Sequence, residues 1–507
     1  MVPERPLPQP LWTTPAGVVL IALAWGAGHG LLRWAASGTI GVDDATETVY
    51  AQTLSPGYQT LQPPLYNWLL HLTQGLVGTG VVSFLILKYA LLAVGTGAMH
   101  AAARLALPDA RAAALAALSL SALYQIGWNA HEGVTHSAAL IATTLLAWAG
   151  FMAMVARPSL PRALAFGAAA GLGMLSKHGF PAALALMAVG ALATPTVRAR
   201  LRPDLLLAAA AVAGLIYAPY GLWLAAQEGG VLTSADQTLR AREGPGAAVM
   251  ALRALAMPVL FLSPLAPLLL ALRLWGSRRA GPAPAPPPAD PDWTGFLGAA
   301  TAAAVVGLLV ATLALNLTTL KERHMHPLFL AAPLWLWAWA LRPWGGVPPV
   351  RACAGALLGL AALALALRAA GLLIPGPPFC PGHCRPVKPF DALGPALLAD
   401  GAGTATLVAG DPFVAGNLRR LLPQARIVLP TAETTPPALG AARLQCRLVW
   451  DRDVTPAPAF LLDPAPGDGP TREIDQGWPH PWNPPGWRLS RFAMRALDPA
   501  DPRCAID

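Results

Sequence analysis

The chain has 507 residues, of which 55% are hydrophobic and 12% charged, with a mean hydropathy of +0.49. Soluble domains run to about a quarter charged, so this composition excludes a string of water-soluble domains and describes a membrane protein. Five cysteines exclude a disulfide-dense secreted scaffold; the formal charge of +9 sits in short loops between apolar runs, where it orients a chain in the bilayer, and no nucleic-acid partner is expected.

In chain order, about eleven apolar runs approach the roughly 20 residues that a helix needs to cross the hydrocarbon core. They fall at 16–36, 82–103, 111–127, 135–155, 162–176, 179–195, 205–225, 249–272, 293–316, 327–341 and 351–374. Two are short and Gly-rich around Ser176-Lys177-His178-Gly179, which leaves a re-entrant pair open there. The first run has a thin basic lead and no small-residue cleavage site after it, so it reads as a retained helix. Lys88 stands inside the second run and must snorkel or pair internally.

With a cytoplasmic N-terminus, the loops on that side collect Arg5, Arg104, Arg111, Arg157, Arg162, Arg198, Arg200, Arg202, Arg273, Arg278, Arg279, Arg342 and Arg351. The opposite loops carry only Lys177, Arg240, Arg242, Arg253, Lys321 and Arg323. The positive-inside rule therefore places the N-terminus in the cytoplasm, and an odd number of spans places the C-terminal tail outside. Residues 275–292 read as a Pro/Ala-rich cytoplasmic linker, and Arg240 and Arg242 as part of an amphipathic surface helix.

From 375 to 507 the composition turns polar and Pro-rich, with strand-like runs at 405–409, 426–430 and 447–450 that fit a small α/β domain. The expected architecture is a polytopic all-α membrane domain over 1–374 followed by an extra-cytoplasmic domain over 375–507. Cys380, Cys384, Cys446 and Cys504 lie in that tail, where disulfides are the first expectation, with three connectivities open. The Cys380-Pro-Gly-His-Cys384 spacing also permits a metal, although no second ligand pair follows; Cys353, in a span, reads as inert packing.

Three external segments carry candidate chemistry. The first, Gly41 to Tyr50, holds Asp43, Asp44 and Glu47 without a Lys or Arg to pair with them, and is followed by Tyr58, Tyr66 and Trp68, rings able to stack on a sugar or a lipid. A capping box, with Asp44 as N-cap and Glu47 three residues on, explains two of these acids and leaves Asp43 free to face a substrate. The second, Trp128 to His136, spaces His131 and His136 five apart, which turns them about 140° out of line on a helix and excludes a zincin; Glu132 and His131 remain as a site acid and metal ligand shared between loops, so a divalent metal ion is the candidate cofactor. The third, Lys321-Glu-Arg323-His-Met-His-Pro327, is cationic on the side where cations are scarce and calls for a phosphate or lipid headgroup; Lys177-His178 is a weaker case of the same kind. An acid and a cationic clamp on one membrane face fit transfer of a group from a phosphate on a lipid.

Several motifs then align with one family. The Asp-Asp pair after the first span, Pro-Pro-Leu-Tyr-Asn-Trp at 63–68, Thr-His-Ser at 135–137, Leu-Ser-Lys at 175–177 and Lys-Glu-Arg-His-Met-His-Pro at 321–327 together resemble glycosyltransferase family 39. This is the GT-C group that includes protein O-mannosyltransferases and the bacterial lipid A aminoarabinose transferase. The resemblance covers roughly residues 10–345, and the tail is similar only loosely to those of bacterial members. It implies an inverting sugar transfer from a polyprenyl-phosphate donor, with Asp43 as general base, Asp44 orienting the site or a metal, and Lys321, Arg323 and Lys177 holding the donor phosphate. Leu61-Gln62-Pro63 stands where the aminoarabinose transferases carry Glu-Lys-Pro, which points away from that sugar and that mode of phosphate binding.

The resulting expectation is a glycosyltransferase of a bacterial inner membrane. It takes a polyprenyl-phosphate-linked sugar and a lipid, glycan or protein acceptor of the cell envelope, and membrane lipids surround it. A polytopic transporter or flippase is the main alternative, disfavoured by acids in an outer loop and by the lack of an internal repeat; a non-catalytic scaffold is the other.

Overall fold

The computed structural model describes residues 10–133, 135–227, 245–279, 290–374, 385–429, 439, 445–453, 464–478, 486–498 and 500–505. Arg240, Arg242, Cys380 and Cys384 lie outside them, as does most of the 275–292 linker. The first half is helical: α1 (Pro15–Ala36), α2 (Val42–Tyr50), α3 (Leu65–Val77), α4 (Val81–Ala106), α5 (Ala110–Leu118), α6 (His136–Ala156), α7 (Leu160–Met174), α8 (Pro181–Ala193) and α9 (Pro203–Ala225). It continues with α10 (Ala247–Leu262), α11 (Leu265–Arg279), α12 (Trp293–Ala314), α13 (Ala332–Ala340) and α14 (Val350–Leu373).

Local chemistry sets many of these ends. Thr14 caps α1, its side chain accepting from the Gly17 amide at 3.1 Å, with Pro15 supplying the fixed φ of a first helical position. Asp109 caps α5 and Asp292 caps α12 in the same way. Among the described residues six helices, α1, α4, α6, α9, α12 and α14, are long and apolar enough to cross a bilayer. Three shorter apolar helices, at Ala110–Ala122, Pro181–Ala193 and Ala247–Leu262, fall on expected spans. The run expected at 249–272 is divided between α10 and α11 at Ser263-Pro264, because proline lacks the amide needed to carry a helix through. The run expected at 111–127 likewise leaves α-helical geometry after Leu118 for a 3-10 turn over Ser119–Ala122.

The bundle is packed from small residues. Glycines 167 and 171, four apart on α7, face α9 so closely that a Cβ on Gly167 would collide with the Ala209 backbone, and one on Gly171 would lie 2.8 Å from Ile216. This is the small-xxx-small device by which membrane helices gain van der Waals contact where lipid removes the hydrophobic incentive. Leu207, Leu215 and Leu222 on α9, and Leu358 and Leu367 on α14, stay exposed on outward faces that suit hydrocarbon.

After α14 come α15 (Leu393–Ala399), β1 (Thr406–Ala409), α16 (Pro412–Leu421), β2 (Arg426–Val428), β3 (Cys446–Asp451), β4 (Arg472–Gly477) and β5 (Leu489–Leu497). The five strands form one sheet in the order β2-β1-β3-β5-β4, with β1 parallel to β2 and β3, and β5 antiparallel to β3 and β4. Helix α16 is the crossover of a β-α-β unit, capped by Asp411, whose side chain accepts from the amides of Phe413 and Val414. Cys446 and Cys504 are joined in a disulfide that ties β3 to the C-terminal segment. One face of the sheet shares a core with α2: Ile40, Ala45 and Val49 are buried in the same cluster as Leu407, Ala409, Leu418 and Ile427.

Candidate functional site

Helix α2 starts at Gly41, whose extended backbone precedes Val42, so Asp43 and Asp44 both lie in the first helical turn. The capping box, the alternative account of these acids, is therefore absent: Asp44 stands three positions inside the N-cap, which makes no side-chain cap bond. Acids in a first turn still complement the helix dipole. At 100° per residue, Asp43 and Glu47 share one face of α2, about 200° round from Ala45, which faces the sheet domain. Asp43 is exposed, whereas Asp44 and Glu47 are each only 6% exposed.

The two buried acids are held differently. Glu47 Oε2 accepts from Asn67 Nδ2 at 2.5 Å and lies 3.1 Å from His136 Nε2. Asp44 has a buried Oδ1 without a hydrogen-bond partner among the described residues. Burial pushes its carboxyl upward, and Lys88 and Arg33 are the cations that pull it back. Lys88, which had to snorkel or pair internally, is thus fully enclosed and acts on Asp44. Arg33 also closes the end of α1, donating to the carbonyls of Ser37 and Thr39.

The cationic side is built from two loops. Lys177 Nζ donates to Ser137 Oγ at 2.9 Å, and its ammonium is lowered to about 8, first by burial, then by Arg323, with Asp43 opposing. Lys321 and Arg323 are exposed on the 321–327 segment. That segment is fixed by His326, whose Nδ1–H donates to the Arg323 carbonyl at 2.7 Å, and by Pro327, which faces Gly179 of the other loop. Burial and the neighbouring Lys177, Arg323 and Lys321 hold His324 down at about 4, and burial also holds His326 at about 4. His178 completes the join, with Nε2 2.9 Å from the Thr60 carbonyl.

Lys177 thus lies within electrostatic reach of both Asp43 and Arg323, which come from two other, sequence-distant segments, and Lys321 stands on the same segment as Arg323. A free carboxylate opposite two cations can take a proton from a hydroxyl while the cations neutralise a leaving phosphate. Glu132 and His131 are arranged otherwise than a shared metal site requires. Glu132 Oε1 pairs with Arg368 of α14 at 3.3 Å, and Arg368 also donates to the His131 carbonyl. The His131 ring stacks on His29 with centroids 3.6 Å apart and meets the Tyr89 hydroxyl at 2.9 Å; burial, then His29, drives its basicity well down. Among the described residues no group of three or more His, Cys, Asp or Glu side chains is placed to hold a metal ion.

Asn67, Ser137 and the pair Arg33–Lys88 were not singled out as site residues from sequence. The signal for the cations was there, since an ionisable residue inside an apolar run implies a buried partner. Asn67 and Ser137 lie within quoted motifs but carry no signature that separates a side chain orienting an acid or an amine from ordinary polar surface. Tyr66 presents a buried hydroxyl without a partner among the described residues, its ring tilted against His136.

Residues 61–223 match the dolichyl-phosphate-mannose-protein mannosyltransferase family. The chain is 26% identical over 441 residues to the lipopolysaccharide core galacturonosyltransferase RgtA of Rhizobium johnstonii, covering 86% of each protein. It is 26% identical over 427 residues to RgtB, with the same description and organism, covering 83% of this chain and 84% of that one. The fold is shared with ArnT from Cupriavidus metallidurans, solved with bound undecaprenyl phosphate, at a TM-score of 0.56 and 16% identity over 94% of this chain and 98% of that one. Its apo structure gives a TM-score of 0.54 with the same coverage. These likenesses, extending over most of the length of named enzymes, bear out the family resemblance read from the motifs: the chain is a membrane glycosyltransferase of the GT-C fold.

Proposed function

We propose that this enzyme transfers a uronic acid from a polyprenyl-phosphate donor to a hydroxyl of a lipopolysaccharide core acceptor, with inversion at the anomeric carbon. The observation that carries the reading is Lys177, whose ammonium is acted on both by exposed Asp43 of α2 and by exposed Arg323 of the 321–327 segment. Asp43 takes the acceptor proton as the oxygen attacks C1 from the face opposite the phosphate; the C1–O bond breaks and its electrons leave with polyprenyl phosphate. The donor is a phosphodiester with a single negative charge, and the departing monoester gains a second, so two cations match the charge that develops. Lys321 lies at the rim of this clamp, and Glu47, fixed by Asn67 and His136, supports the acceptor side.

The sugar and acceptor are supported by the relatives described as core galacturonosyltransferases, and the lipid by the undecaprenyl phosphate bound to ArnT. The departure at Leu61-Gln62-Pro63 agrees with a sugar other than aminoarabinose. The same reading sets the N-terminus in the cytoplasm and the helix α2, the two basic loops and the sheet domain on the periplasmic face of a bacterial inner membrane. Residues 1–374 are the membrane-embedded catalytic domain and 375–507 the periplasmic one. The test is the purified enzyme in lipid with uronosyl and neutral hexosyl polyprenyl phosphates and a truncated core acceptor. Transfer restricted to the uronosyl donor, with product of inverted configuration by NMR, is expected; retention of configuration, or consumption of neither donor, would overturn it.

A further inference from the structure

Helix α2 carries the acids but is only nine residues long. Helices shorter than about 12–15 residues are marginal on their own, so its place is decided by what packs on it. On one side stand Lys88 and Arg33, acting on Asp44. On the other stands the sheet domain, which grips α2 at both ends and in the middle. Before its first turn, Asn417 of α16 accepts from the Ile40 amide at 2.9 Å and donates to the Ile40 carbonyl at 3.3 Å, while also bonding the Phe413 carbonyl of its own helix. After its last turn, the Gln52 amide accepts from the Ile427 N–H at 3.1 Å and donates to the Ile427 carbonyl at 3.0 Å. Ile427 lies in β2, the strand at the end of the sheet, so Gln52 pairs with an open strand edge as a neighbouring strand would. Between these points Gly416 meets Ala45 so closely that a Cβ there would lie 2.5 Å from the Ala45 Cβ.

We propose that the C-terminal sheet domain is the clamp that sets the register and tilt of α2, with Asn417, Gly416 and Gln52 as positioning residues that act on sugar transfer through Asp43. Asn417 is fully buried and spends its whole amide on this clamp and on its own helix, although Ile40 is 377 positions away in sequence. A mere contact between domains would not need a glycine at the crossing or a side chain that mimics a strand. Because Asp43 and Glu47 lie on the face of α2 turned from the clamp, release of the clamp rotates or withdraws them while Lys177 and Arg323, on other loops, stay in place.

The inference rests on Asp43 as the base, and its test is chosen to separate the two. Full-length wild type, Asn417→Ala, Gly416→Ala and Gln52→Ala in lipid are compared for kcat, donor KM and amide hydrogen exchange. The expected result is kcat reduced at least about tenfold with donor KM within twofold, since small displacements of a reacting group are costly. Exchange over 45–50 rises, while 406–409 and 413–418 stay protected. Gln52→Glu, which keeps the acceptor and loses the donor, falls between wild type and Gln52→Ala. Unchanged exchange over 45–50 overturns the clamp whatever the activity, as does wild-type kcat in variants whose α2 has loosened. Loss of protection in the sheet as well, with donor binding lost in parallel, also overturns it, because the variants then report folding alone. Absence of turnover in wild type counts against the base assignment and leaves the exchange comparison to decide the clamp.

Discussion

Lys177 and Asp43 face one another's charge, and the environment of each makes a distinct prediction. With its ammonium lowered to about 8, Lys177 is charged below that pH and neutral above it, so it gives its charge to the phosphate only on the acidic side. Donor KM is therefore expected to rise as pH increases through about 8, measured by initial rates at saturating acceptor. Lys177→Arg stays charged throughout and is expected to flatten that limb, with a loss of affinity from the altered geometry that is the same at every pH. Each residue was a candidate in the sequence, Asp43 as the acid that a cap leaves over and Lys177 as a cation where positive charge is scarce, but their mutual influence is visible only in three dimensions. The alternative reading of Asp44 as an N-cap fails, since the helix starts at Gly41, which has no strong cap signature. What made Asp44 a buried acid is three-dimensional: Arg33 and Lys88 come from two different helices.

Helices in this protein were readable where they are long and uninterrupted. The six of spanning length follow from hydropathy and cap chemistry, but the runs at 111–127 and 249–272 are continuous in hydropathy and broken in structure, because a proline or a switch to 3-10 geometry leaves hydropathy untouched. Packing between helices left a clearer trace in the Gly167-Ala-Ala-Ala-Gly171 stretch. Gly167→Val is expected to force α7 from α9 and to destabilise the enzyme by about 1–3 kcal/mol, seen as a lower melting temperature in detergent. Gly307, with open space at its Cβ position, accepts alanine with no comparable loss. Equal effects at the two positions would contradict the close approach of α7 and α9.

Across the whole molecule, the helical bundle and the sheet domain share one hydrophobic cluster, and the acidic helix lies inside it. Three strands of the tail, β1 to β3, are legible as apolar runs, but β4 and β5 are not, and neither is the packing of the tail on the first loop, because that contact joins residues 377 positions apart and leaves no local periodicity. The Cys446–Cys504 link closes a segment of 58 residues in that domain. Cys504→Ser is expected to weaken the domain by about 4 kcal/mol on the chain-entropy account. Reductant should reproduce the effect in wild type and add nothing in the variant, with limited proteolysis of the tail as the readout.

Sugar transfer by an acid on α2 is most directly tested by single-turnover release of polyprenyl phosphate from a uronosyl donor, comparing wild type with Asp43→Asn at equal donor occupancy. Loss of about 10²–10⁴-fold in the chemical step with donor affinity unchanged is the predicted result for a general base. Turnover by Asp43→Asn at the wild-type rate, with donor bound equally, would contradict the account.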